Sequence, residues 1–130
     1  MTDVPKWLED ILKDFASGMG LNSFALNSEG VASLRFENAA VFKMEYAVGY
    51  LVLSLSVESP SDSASAKLLL ASADPLRKGK FQIRAAFAGK PPRALFAVRF
   101  DPADITLGNL DGAMSELWRT AENFSRRLGA

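Results

Sequence analysis

The chain has 130 residues, enough for one domain with its own core, and 15 lysines and arginines balance 15 aspartates and glutamates. Zero net charge argues against general nucleic-acid binding, which needs a basic field over phosphates. With neither cysteine nor histidine, disulfides, thiol nucleophiles, zinc sites of the usual kind and Ser-His-Asp chemistry are excluded.

The N-terminus carries Asp3, Lys6, Glu9 and Asp10 and does not read as a signal peptide. No apolar run approaches the roughly 20 residues that span a bilayer. A cytoplasmic protein without membrane insertion is expected, and the absence of cysteine fits that. The spacing of Val4, Trp7, Leu8, Ile11, Leu12 and Phe15 predicts a helix over residues 4–17. Thr2 or Asp3 can cap it, Pro5 is tolerated in the first turn, and Gly18 and Gly20 stop it. Its stripe reads as core, with the edge near Trp7 left as a candidate partner contact.

Residues 21–26 read as extended, and Asn27-Ser28-Glu29-Gly30 as a turn with Gly30 at positive φ. A strand over 31–36 turns Ala32, Leu34 and Phe36 inward. After a turn at 37–39, a strand over 41–46 turns Phe42, Met44 and Tyr46 inward and Lys43 and Glu45 outward. Gly49 permits the next reversal. The strand from Tyr50 to Val57 alternates strictly, with Leu51, Leu53, Leu55 and Val57 on one side and Tyr50, Val52, Ser54 and Ser56 on the other. One apolar face and one half-polar face predict an antiparallel sheet covered by helices on one side.

Residues 59–65, rich in serine, form a loop into a short helix over 64–73, which stops before Asp74-Pro75. Leu68, Leu69 and Leu70 cannot share one narrow helical face. Either one is spare for a contact outside the protomer, or all three are internal. Residues 76–80, with Arg77, Lys78 and Lys80, read as a solvated basic turn. A strand over 81–88 turns Phe81, Ile83, Ala85 and Phe87 inward. The loop Gly89-Lys90-Pro91-Pro92 is too short to be a polyproline ligand. The last strand, 94–100, faces Ala94, Phe96, Val98 and Phe100 in, and Leu95, Ala97 and Arg99 out beside Arg93. A long helix from Asn109 to about Leu128, capped by Asn109 or Thr106, buries Leu110, Ala113, Met114, Leu117, Trp118, Ala121, Phe124 and Leu128. The reading is α+β in the order α-β-β-β-α-β-β-α, one domain over 1–130 with an antiparallel twisted sheet and helices packed on it.

That order resembles the class I chaperones of bacterial type III secretion systems over nearly the whole chain. The likeness is clearest at Leu8, Ile11, Leu12 and Phe15, then Met19-Gly20-Leu21, then Phe24-Ala25-Leu26-Asn27-Ser28-Glu29-Gly30 leading into Ser33-Leu34-Arg35-Phe36. Leu110, Leu117-Trp118, Ala121-Glu122 and Phe124 are similar to the family's last helix. The resemblance implies a small cytoplasmic homodimer that binds the extended N-terminal segment of a secreted effector or translocator. It also implies grooves for apolar client side chains, strand addition at a sheet edge, and a dimer contact at the middle helix, here with Leu68, Leu69 and Leu70.

The residues support binding on their own account. Tyr50, Val52, Leu95 and Ala97 interrupt Arg84, Arg93 and Arg99 on a face that water alone would leave polar. With Trp7 as a second contact, these are the expected client-binding residues. Two other functions compete: a regulator of the same fold that sequesters another chaperone or a transcriptional regulator, and a small-molecule protein using Arg99, Asp101, Asp104 and Glu116. No catalytic, metal or cofactor site is expected. No nucleotide is expected either, since Gly18-Met19-Gly20 lacks the strand-to-helix setting of a phosphate loop.

Overall fold

The alternating run from Tyr50 forms the middle of the sheet. The computed structural model describes residues 4–21, 24–37, 39–73 and 79–129. Its elements are α1 (Lys6–Gly18), β1 (Val31–Arg35), β2 (Val41–Ala47), β3 (Tyr50–Glu58), α2 (Ser63–Ser72), β4 (Arg84–Ala88), β5 (Arg93–Phe100) and α3 (Leu107–Leu128), with a 3-10 turn at Pro102–Asp104. The five-stranded sheet has the order β1-β2-β3-β5-β4, antiparallel throughout. Two hairpins put β1, β2 and β3 side by side. The chain then crosses through α2 and returns as a third hairpin, whose β5 pairs with β3 and leaves β4 at the edge.

Register puts every inward residue in one layer. Leu34 faces Phe42, Phe42 faces Leu55, and Leu55 faces Phe96. Helix α3 lies over that layer and buries Leu110, Ala113, Leu117, Ala121 and Phe124. The Phe124 ring meets Phe96 edge-on at 5.5 Å. Helix α1 adds Leu8, Leu12 and Phe15, with Phe15 and Phe42 ring centroids 6.1 Å apart. Each fully buried Leu or Phe contributes about 1.5–3 kcal/mol of transfer free energy, so this layer dominates the favourable side of folding.

Local chemistry sets the ends. Thr106 Oγ1 accepts from Asn109 N at 3.1 Å, so Thr106 is the cap of α3 and the helix starts at Leu107, ahead of Asn109. Asp62 Oδ1 accepts from Ser65 N at 2.8 Å and caps α2. Pro5 occupies the N-cap of α1, with no side-chain cap bond. Thr2 and Asp3 lie outside the described residues, as do Asn22 and Ser23 of the extended piece, Asn38 of the β1–β2 turn, Asp74-Pro75, and Leu76, Arg77 and Lys78 of the basic turn. Asn27 Oδ1 accepts from Glu29 N and Val31 N and shapes the turn before β1, where Gly30 has φ 79°.

One strand is shorter than its sequence suggests. β4 begins at Arg84, and residues 81–83 leave the sheet. The reason is the side chains: Ile83 is buried in the core, and the Phe81 ring turns edge-on to Phe100 at 5.8 Å. Gly112 of α3 makes room for that ring, because a Cβ there would sit 3.1 Å from it. Packing against α3 outweighs continuation of the ladder.

Candidate functional site

Strand alternation leaves the opposite side of the sheet without a described helix over it, since α1, α2 and α3 all join the core cluster on the inward side. Cross-strand rows define this outward face. One row runs Lys43, Ser54, Ala97, Arg84. The next sets Glu45 beside Val52 and Val52 beside Arg99. A third runs Arg35, Val41, Ser56, Leu95, Ala86. Tyr50, Val52, Leu95 and Ala97 are all half-buried and share this face, so the structure brings the expected sheet residues together.

The arginines divide by role. Arg84 and Arg99 are exposed. The Arg99 guanidinium stacks over the Tyr50 ring at 4.5 Å, a cation–π contact that leaves its N–H edges available. Arg93 is half-buried and committed within the protomer. Its Nε donates to Ser56 Oγ at 3.0 Å, and its Nη2 donates to Ala39 O at 2.6 Å and to Ser56 O at 3.0 Å. Ala39 has φ 67°, uncommon for a residue with a Cβ, and Arg93 holds its carbonyl. Arg93 is therefore a clamp between β5, β3 and the β1–β2 turn, because these bonds occupy much of its donor fork.

Trp7 is 43% exposed but sits on α1, in the helix layer and apart from the outward face. The helix layer holds two partly apolar grooves, to which the sequence reading assigned no lining residues. One, of about 260 Å³, lies between α1 and residues 24–26, with Val4, Leu12, Phe24 and Leu26 as its apolar lining. The other, of about 240 Å³, lies between α3 and β3, lined by Leu55, Val57, Trp118 and Ala121. Trp118 stands edge-on to Phe36 at 5.0 Å. The signal in the sequence was the apolar run Phe24-Ala25-Leu26 beside the α1 stripe, but its placement needs tertiary structure.

Of the leucines on α2, Leu69 is 4% exposed and belongs to the protomer's core, Leu68 packs partly against it, and Leu70 is 71% exposed. That corrects the expectation that Leu69 is available to a second copy. Successive residues are rotated by about 100° on a helix, so burying Leu69 turns Leu70 outward. Arg99, Asp101 and Asp104 line one polar groove of about 590 Å³, while Glu116 lines a separate one of about 550 Å³ and accepts from Lys80 N at 3.3 Å. The four polar residues do not converge. Among the described residues there is no cluster of metal-binding side chains, and no helix is long and apolar enough to cross a membrane.

Several solved structures share this fold. A chain of the ExsC–ExsE complex aligns with a TM-score of 0.79 and 21% identity, covering 96% of this chain and 96% of that one. A chain of the HopA1–SchA chaperone–effector complex aligns at 0.72 with 16% identity, covering 94% and 98%. A chain of the Yersinia pestis type III secretion chaperone SycH in complex with a stable fragment of YscM2 aligns at 0.67 with 18% identity, covering 90% and 98%. At these identities the likeness establishes the fold. No curated protein matches the sequence. The family model described as type III secretory system chaperone SycN matches residues 7–124, from α1 through most of α3. The chain thus belongs to the SycN family of type III secretory system chaperones.

Proposed function

We propose that this protein is a cytoplasmic, homodimeric, non-enzymatic chaperone that binds the extended N-terminal segment of a secreted effector or translocator and keeps it competent for export. The observation that carries this reading is family membership over residues 7–124. A sheet face with no described helix over it, mixing Val52, Leu95 and Ala97 with exposed arginines, supplies a surface for such a segment. The similar HopA1–SchA structure is a chaperone–effector complex, which supports the same reading. A segment that is disordered when free loses conformational entropy on docking, so many small apolar anchors along a track suit it better than one deep pocket.

The test is affinity capture of the tagged chain from a native lysate, identification of the bound segment, and calorimetry with that segment. Replacing Val52 and Leu95 together by Ser is expected to keep the fold within about 1 kcal/mol of wild type and to weaken the complex at least about tenfold. A folded double variant with unchanged affinity would move the site to the two helix-layer grooves. Capture of a transcriptional regulator or another chaperone, with no exported segment bound, would replace the effector reading by a regulatory one.

A further inference from the structure

We infer that the outward sheet face is built for an acidic, extended protein segment. The inference rests on the chaperone reading and adds the chemistry of the partner. Among the described strand residues, Arg35, Lys43, Arg84, Arg93 and Arg99 stand on this face against Glu45 and Glu58. The chain as a whole is neutral, so the positive surplus here is balanced by carboxylates elsewhere. Lys43 meets Glu45 at 3.5 Å in a half-exposed pair that a closer carboxylate can replace, whereas Arg93 is engaged with Ser56 and Ala39. The free ends that remain are mostly cationic: Arg35 on the β1 edge, Arg84 on the β4 edge, and Arg99 held flat by Tyr50.

Spacing fits a peptide. Lys43 and Arg84 share one cross-strand row, with Ser54 and Ala97 between them and Ser33 beyond Lys43. Three strand spacings separate them, about 14 Å. An extended chain presents same-side residues every 7 Å or so, hence two carboxylates four residues apart reach both cations. Between the cations, Ala97, with Val52 and Leu95 in the neighbouring rows, offers apolar contact to the residue midway between the two carboxylates, which points to the same side as they do. A nucleic acid fits less well. Single strands use aromatic platforms for stacking, and the aromatic side chain of this face, Tyr50, already carries Arg99.

The probe is a fluorescein-labelled peptide of about 12 residues in which Glu recurs at every fourth position, Val or Ala stands midway between successive Glu residues and Ser fills the rest, read by fluorescence anisotropy. A second peptide replaces each Glu by Lys, and a labelled single-stranded oligothymidine serves as the polyanion comparison. The acidic peptide is expected to bind, with affinity falling about tenfold or more between roughly 50 and 300 mM NaCl, while the lysine peptide stays free. Arg84→Glu with Arg99→Glu is expected to abolish binding. Arg119→Glu with Arg127→Glu makes the same charge change on α3 and is expected to leave binding intact. Melting curves check folding, and the single exposed-edge change Arg84→Glu repeats the test should the double variant unfold. Equal loss in both double variants would show a net-charge effect and overturn the inference, as would oligothymidine binding with the acidic peptide silent. If the exported segment binds but the acidic peptide does not, the inference fails and the chaperone reading stands. If the acidic peptide binds on this face and no exported segment does, the surface chemistry holds and the chaperone reading falls.

Discussion

At the scale of the residue, outward-facing arginines with the same strand parity have different roles. Arg93 and Arg99 look alike in the sequence, three alternations apart on β5. Ser56 of β3 and Ala39 of the β1–β2 turn, brought together by the sheet, give Arg93 its partners. Replacing Arg93 by Ala leaves two backbone carbonyls short of a donor, at Ala39 and Ser56. The expected loss is about 1–3 kcal/mol in denaturant unfolding. Arg93→Lys should recover little of it, since a single ammonium cannot reproduce a planar fork. Arg99→Ala should leave stability nearly unchanged, because its contact is an exposed one. Equal stability effects at the two positions would contradict this division.

At the scale of the element, α2 shows what a cap and a rotation decide. The backbone N–H of Ser65, donating to Asp62, and then its side-chain hydrogen bond hold the Asp62 carboxyl below its ordinary value of 3.8. A carboxyl depressed in the folded state adds stability that is fully present above the unfolded value. That stability is lost as pH falls through the folded value. Melting temperature should therefore drop more for wild type than for Asp62→Asn between about pH 5 and about pH 2, because asparagine caps without titrating. Parallel pH profiles would rule this out. Much of the element pattern was legible in the sequence, because alternation and helical spacing report which side is buried. The β4 start was not. Phe81 and Ile83 keep the parity of a strand while packing off the sheet, and the room for Phe81 comes from Gly112, some thirty residues away. The groove under Trp118 was hidden for the same reason, since its walls come from β3 and α3, some sixty residues apart, while the one beside Phe24 depends on how residues 24–26 fold back on α1.

At the scale of the whole molecule, an exposed Leu70 beside a buried Leu69 separates assembly from folding. Leu69→Ala should cost about 2–5 kcal/mol, because it opens a cavity in the core. Leu70→Asp should hold the melting profile of the protomer while light scattering moves from dimer to monomer mass, because a carboxylate in an apolar contact is costly to desolvate. A wild-type chain already at the 14.1 kDa monomer mass at micromolar concentration would refute the dimer. The sheet residues of the candidate site were legible as a set, because register preserves parity across strands. Which of the arginines remained available was not. Their placement also gives the neutral chain a permanent dipole: its charges cancel in number but not in position. With no net charge two such molecules hardly repel at long range, and at low ionic strength each can turn its basic sheet face toward a neighbour's exposed carboxylates. Added salt then acts as a solubiliser, screening the dipoles that draw the copies together.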